Sequence, residues 1–290
     1  MGEYTQEELR RLWRIEMEIY EAIAGICESH GLRYYAGYGT ALGAVRHGGF
    51  IPWDDDMDVC LPRKDYEAFI RYAPKELPEK MEVLGTGITE GYVLPYIKIH
   101  NRRTVFVEET DQNLKYPTGI YVDIFPIDAA APTEKLKKKH YMRCWRWARA
   151  CVLAGYGRVK LPEGMNPAVQ APVRIACAGI HGVFRLACRK PEDFHRRFVQ
   201  EARRYETEGE PAEYVQMSDE RTYPPEYNKT GTLFPTQEVP FENIRIRIPG
   251  DADSYLKELY GDYMQLPPPE KRHNHYPAEL DFADEGESGK

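Results

Sequence analysis

From Leu9 to Cys27, apolar residues recur at helical spacing (Leu9, Leu12, Trp13, Ile19, Tyr20, Ile23, Ile26, Cys27), which predicts an amphipathic helix with one side turned to a core. Thr5 and Glu8 stand in capping-box spacing ahead of it, and Gly31 suits the residue just past its end. This helix reads as scaffold. The period then changes. Residues 32–37 form a short apolar and aromatic run of strand type, and residues 40–47 a small-residue helix behind a Gly39-Thr40 turn. Residues 56–61 alternate polar and apolar, so a strand there puts Asp56 and Asp58 on one face, roughly 6–7 Å apart along the backbone, with Met57, Val59 and Leu61 turned inward.

Further on, residues 64–72 read as a helix, with a break over residues 74–80 starting at Pro74. Residues 82–85, 92–100 and 104–108 read as strands, the second marked as an edge or bulge by Pro95. Residues 119–128, GIYVDIFPID, form an apolar strand that Pro126 interrupts. Three helices follow over residues 134–155, 171–189 and 191–205, then a hairpin of residues 233–239 and 244–248 around Phe241-Glu242-Asn243. A short helix over residues 251–260 stops at Gly261, and the polar residues 283–290 are expected to fray. The pattern is α+β, with an expected core over residues 1–130, a helical insertion over 131–210, and a segment over 211–290 that completes the site.

The net charge of -7 argues against nucleic-acid binding by the whole molecule, but it conceals an asymmetry. Residues 134–205 hold 17 Lys or Arg against 5 Asp or Glu. Two readings stay open: solvated faces of a helical subdomain, or a surface that meets an anionic substrate or an anionic membrane leaflet, where Trp145, Trp147, Phe184 and Leu186 among the arginines permit interfacial contact. No run of 18 apolar residues occurs and the first residues lack the pattern of a signal peptide, so neither a membrane span nor secretion is expected. Cys27, Cys60, Cys144, Cys151, Cys177 and Cys188 show neither CxxC nor zinc-type spacing, and buried free thiols in a reducing cytosol are expected.

The chemistry concentrates in Asp54, Asp55, Asp56 and Asp58. Two carboxylates ~5 Å apart at an effective dielectric near 20 repel by roughly 3 kcal/mol, a cost that a divalent cation removes. Oxygen ligands without a nearby Cys or His suit Mg²⁺ or Mn²⁺. An exposed Asp-rich turn is the alternative, and the alternating apolar residues and upstream Gly-Thr turn favour the metal. A glycine with a hydroxyl at a helix N-terminus, as at Gly39 and Thr40, suits an anion. Asp123, set between Val122 and Ile124, needs a cation or strong donor and is a candidate third ligand, whereas Asp128 is expected to cap the following loop. Lys98 and Arg102 are either a clamp on phosphate charge or solvent-facing residues of an alternating strand. His273 and His275 are candidate ligand contacts or incidental tail histidines.

The runs GTALGAVRHGGFIPWDDDMDV, GIYVDIFPID and YLKELYGDYMQLPPPEKR resemble the bacterial LicD family, relatives of fukutin and fukutin-related protein. The resemblance implies a nucleotidyltransferase-like mixed β-sheet flanked by helices, here with an added basic helical subdomain. It also implies transfer of phosphocholine, or a related substituted phosphate, from CDP-choline or another CDP-linked donor to a hydroxyl of a glycan or lipid-linked saccharide. By this similarity Gly39 and Thr40 match the family's turn, Asp56 and Asp58 its DxD pair and Asp123 its later carboxylate. Arg46, His47, Lys98, Arg102 and His273 join the substrate-binding candidates, and Trp53 or the tail aromatics could meet a quaternary ammonium by cation–π attraction. The expected location is cytoplasmic, with peripheral contact at the inner face of the membrane. Two alternatives stand beside this reading: nucleotide transfer to a small hydroxyl or phosphate, and a non-catalytic module docking glycan or membrane.

Overall fold

The computed structural model describes residues 3–108, 116–156, 165–218, 224–272 and 274–282. Thr5 and Glu8 cap α1 (Gln6–Ser29) reciprocally, the Glu8 N–H donating to Thr5 Oγ1 and the Thr5 N–H to Glu8 Oε2. There follow β1 (Tyr35–Ala36), α2 (Tyr38–His47), β2 (Asp58–Pro62), α3 (Arg63–Glu76), β3 (Met81–Leu84), β4 (Ile97–Asn101), β5 (Val105–Val107) and β6 (Tyr121–Ala129). Three longer helices come next, α4 (Glu134–Gly155), α5 (Pro167–Leu186) and α6 (Pro191–Ala202). After them lie β7 (Glu213–Val215), β8 (Tyr227–Lys229), α7 (Thr230–Leu233), β9 (Gln237–Phe241), β10 (Ile244–Ile248), α8 (Ala252–Tyr260) and β11 (Glu279–Asp281).

Strands β1, β2, β6, β4 and β3 lie side by side in that order, and β7 and β8 continue from the far end of β6. The β2–β6 pair is parallel and the other pairs are antiparallel, so the sheet is mixed and the fold is the expected nucleotidyltransferase-like α+β arrangement. Alternation along β6 sends Val122 and Ile124 into the main core with Ile19 and Ile23 of α1 and Phe69 of α3, and leaves Asp123 and Phe125 on the opposite face. Helices α4 and α6 enclose a smaller core in which Tyr141, Cys144, Ala148 and Phe198 meet Val215 and Met217.

Several elements differ from expectation for local reasons. Pro74 lies within the last turn of α3, where it removes one hydrogen bond near an end, and the break begins at Leu77 instead. Pro126 does not interrupt β6. The Asp123 N–H donates to Met57 O on the β2 side, so alternation turns the Pro126 nitrogen to the other edge, where β4 has ended at Ile124 and β7 begins only at Asp128. Residues 92–96 are not strand: Tyr92 and Val93 are buried, but β4 starts only beyond Pro95. Helix α5 starts earlier than expected, because Asn166 caps it and Pro167 occupies its first position.

Two chemical expectations also change. Asp128 is no loop cap: its carboxylate accepts both bonds of a buried, bidentate pair from Arg63, 2.7 Å from Nε and 2.8 Å from the terminal nitrogen. All six cysteines are free, but only four are buried, Cys177 being half-buried and Cys188 exposed in the turn between α5 and α6.

Candidate active site

The parallel register places Asp58 directly opposite Asp123, and the antiparallel register on the other side places Lys98 opposite Asp123. Residues paired in register share a face, so the three side chains form one transverse row on strands about 4.8 Å apart. The start of β2 is fixed by the fold. The Asp58 N–H donates to Thr40 Oγ1 at 2.9 Å, which ties α2 to the start of the strand. Lys98 Nζ lies 3.4 Å from Asp123 Oδ1 and 3.8 Å from Glu108 Oε1, above the Tyr121 ring at 3.3 Å from its centroid.

Burial, followed by mutual repulsion, governs the carboxylates of this row and its neighbours. Burial, then Asp56, Asp123 and Asp54, hold the Asp58 carboxyl well above the usual range. Asp54 is raised in the same way by burial, Asp56 and Asp55. Burial pushes Asp123 up to about 6, with Lys98 opposing the rise. Asp56 is raised by burial while His275 pulls the other way. Glu16 of α1 adds to the cluster: it is buried, its Oε2 accepts no hydrogen bond among the described residues, and burial followed by the charges of Asp56, Asp55, Asp54 and Asp58 raises it strongly.

Such a set of hard oxygen donors fits a Mg²⁺ or Mn²⁺ ion, because the cation relieves the repulsion that otherwise forces protonation. Asp123 Oδ1 is buried and faces Lys98 Nζ at 3.4 Å, so an ion bound there would share this carboxylate with the lysine. Among the described residues no three carboxylate, imidazole or thiol groups converge closely enough to enclose an ion by themselves.

Asp55 has a different part from its neighbours. Tyr4 donates to its Oδ2 at 2.8 Å, the His275 N–H donates to both oxygens at 2.9 Å, and His275 Nδ1 lies 3.2 Å from Oδ1. It therefore pins the first residues and the tail to the aspartate loop. The side-chain bond from Asp55, with the charges of Asp56 and Asp55, lifts the His275 imidazole to about 9 against the cost of burial. His273 lies outside the described residues.

Gly39 and Thr40 occupy the first turn of α2, not a turn ahead of it, because the helix begins at Tyr38 with Gly37 as its cap. A Cβ on Gly39 would stand 2.8 Å from Asp54 Oδ2, so the glycine lets that carboxylate close on the helix N-terminus. Arg46 donates to the Tyr263 carbonyl at 2.8 Å and to His47 Nε2 at 2.9 Å. His47 meets the Trp53 ring edge-on, and Arg272 lies 4.5 Å over the same ring. One face of Trp53 thus already carries a cation. Arg102 lies past the end of β4, exposed, with its guanidinium 3.3 Å from Glu79, and is not gathered with the others.

A second row lies one step along the strands. Phe125 stands opposite Cys60, with Tyr96 at 4.6 Å and Tyr38 edge-on at 5.9 Å between ring centroids. Sequence reasoning missed these rings, and also Glu16, Glu108 and Arg272. Glu16 alone left a signal: it falls between Leu12, Trp13 and Ile19, Tyr20, a charge on the apolar stripe.

Residues 31–148 match the family model described as LicD/FKTN/FKRP, nucleotidyltransferase domain. Along 286 residues the chain is 26% identical to the lipopolysaccharide cholinephosphotransferase LicD of Haemophilus influenzae, covering 92% of this chain and 96% of that protein. It is 44% identical over 43 residues to the ribitol 5-phosphate transferase FKRP of Homo sapiens, 15% of this chain and 9% of that one. An uncharacterized protein of Rickettsia typhi is 30% identical over 71 residues, 24% of this chain and 22% of its own.

Proposed function

We propose, from the match of residues 31–148 to the LicD/FKTN/FKRP nucleotidyltransferase model, that the chain moves a substituted phosphate, with phosphocholine as the first candidate, from a CDP-linked donor to a hydroxyl of a glycan or lipid-linked saccharide. The observation that carries the reading is the row of Asp58, Asp123 and Lys98 beside Asp56, a cation-hungry cluster with one lysine on its flank. The near full-length similarity to a lipopolysaccharide cholinephosphotransferase supports phosphocholine as the group transferred.

In this reaction the acceptor oxygen attacks the phosphorus that bears choline, the bond from that phosphorus to the CMP oxygen breaks, and the hydroxyl proton must leave. Asp56, Asp58 and Asp123 would hold Mg²⁺ or Mn²⁺, which when bound neutralises phosphate oxygens and charge on the departing CMP. Asp123, fixed beside Lys98 on the central strand, is the carboxylate we assign to orient the acceptor hydroxyl and receive its proton. Lys98 holds Asp123 in place and offers a positive charge to a phosphate oxygen. Arg46 and Arg272 bring cations to the rim beside Trp53. The rings of Tyr38, Tyr96 and Phe125 offer a quaternary ammonium cation–π contacts worth about 0.5–2 kcal/mol.

The test is to incubate the purified protein with a saccharide acceptor and, in turn, CDP-choline, CDP-ribitol, CDP-glycerol and CDP-ethanolamine, with either metal. CMP release with choline phosphate on the acceptor is expected. Nucleotide on the acceptor would mark a nucleotidyltransferase instead, and failure to consume any CDP-linked donor would remove the proposal.

A further inference from the structure

Lys98 lies between two carboxylates. Its ammonium is 3.4 Å from Asp123 Oδ1 in the row and 3.8 Å from Glu108 Oε1 outside it, with the centre of the Tyr121 ring 3.3 Å away. Asp123 already gives the buried lysine a counter-charge, so the second carboxylate calls for a reason of its own. It is also held in place. The Tyr121 hydroxyl donates to Glu108 Oε1 at 2.8 Å, the same oxygen that faces the ammonium. Phe106 meets the Tyr121 ring edge-on at 5.5 Å between centroids. Strand β5, which ends one residue before Glu108, is fixed by its pairing with β11, Val107 standing opposite Glu279. The charge of Glu108 reaches the row: after burial, it is among the groups that raise the Asp56 and Asp123 carboxyls.

We infer that Glu108, braced by Tyr121, is a positioning residue that draws the Lys98 ammonium off Asp123 and so frees that carboxylate for a divalent cation. The inference rests on the assignment of the carboxylate row to Mg²⁺ or Mn²⁺ within the proposed transfer. An ammonium and a divalent ion on one carboxylate repel each other, and the repulsion falls as the ammonium withdraws. Lys98 has a flexible four-carbon stem that permits the move. At 3.8 Å its ammonium stands about 1 Å beyond the length of a charge-assisted hydrogen bond to Glu108, so a small shift exchanges one counter-charge for the other. The face of Tyr121 favours the cation along that path. The lysine then keeps its charge beside the row, where a phosphate oxygen can meet it. With Glu108 neutral, the ammonium stays on Asp123 in competition with the ion.

The experiment is titration of Mn²⁺ alone into the full chain, without donor or acceptor, with the free ion read by electron paramagnetic resonance. Lys98→Met should tighten binding by roughly fivefold or more, because the competing charge is gone. Glu108→Gln should weaken it by a similar factor, and Tyr121→Phe, which changes no charge, should weaken it by less. The double variant decides. On the Lys98→Met background Glu108→Gln should shift the affinity by less than about twofold, because Glu108 acts through the lysine. Circular dichroism checks that each variant is folded, and Lys98→Gln supplies the neutral background if the methionine variant is not. Lys98→Met that fails to tighten binding, or Glu108→Gln without effect, would overturn the inference. So would an equal effect of Glu108→Gln in both backgrounds, which would make Glu108 act on the ion directly. Wild-type protein that binds no Mn²⁺ would remove the ion assignment and this inference together. The expected Mn²⁺ cycle in a protein that consumes no CDP-linked donor would remove the transfer alone and leave the part of Glu108 standing.

Discussion

Asp58 and Asp123 stand in direct register across the parallel strands β2 and β6, 65 residues apart in sequence, with a lysine rather than a third carboxylate on the far side of Asp123. Two like charges so placed oppose folding and invite a cation.

Asp58→Asn should therefore separate stability from activity. Transfer should fall by at least about 10²-fold if Asp58 holds the cation as proposed, because a ligand to the phosphate-neutralising ion is then lost. The metal-free protein should gain about 1–3 kcal/mol in urea unfolding, because one partner of the repulsion is gone. A destabilised variant would show that Asp58 is held by contacts rather than strained by charge.

Metal should matter most where the carboxylates are ionised. Asp123 has a folded pKa of about 6, above the ordinary value near 3.9. Its burden on stability is thus fully present above about 6 and vanishes as pH falls to the unfolded value. Thermal melting at pH 7.5 should rise with millimolar Mg²⁺ or Mn²⁺, and the rise should shrink toward pH 5. Equal stabilisation at both pH values would argue for metal bound elsewhere.

The buried Arg63–Asp128 pair joins the first residue of α3 to β6. Asp128→Asn should cost about 3–5 kcal/mol, because it leaves a guanidinium buried without its counter-charge. Replacing both residues with apolar side chains of similar volume should recover much of that loss, read by chemical denaturation as a double-mutant cycle.

His100 makes the fold acid-sensitive. It is fully buried, its Nδ1 accepts the Gly119 N–H at 3.0 Å, and burial followed by Arg102 lowers its pKa to about 4. An unfolded histidine titrates near 6.5, so the stability tied to neutral His100 is complete above that pH and is lost as pH falls through about 4, by up to about 3 kcal/mol. His100→Gln should flatten the stability profile between pH 7 and 4; an unchanged slope would assign the acid sensitivity to other groups.

The legible parts were those set by near neighbours in the chain. Thr5 with Glu8, the helical stripe of α1, the alternation around Asp58 and the stop at Gly261 each depend on backbone geometry within a turn or two. Prolines were misread because their effect depends on what lies alongside. Pro126 is harmless only because neither β4 nor β7 is paired at that point. Asp128 was misread because Arg63, its partner, lies 65 positions away in sequence.

By itself the sequence determined the elements, the cluster of aspartates and the likeness to a family, because these are written in local spacing and in residues that stand together. Only the tertiary structure decided which carboxylates face each other. Register across β2, β6 and β4 set Asp58, Asp123 and Lys98 in one row, while packing of α1 brought Glu16 within the field of the aspartates and the tail folded His275 onto Asp55. The physical reason is that electrostatic partnership depends on distance through space, which chain spacing does not encode once a sheet has assembled it.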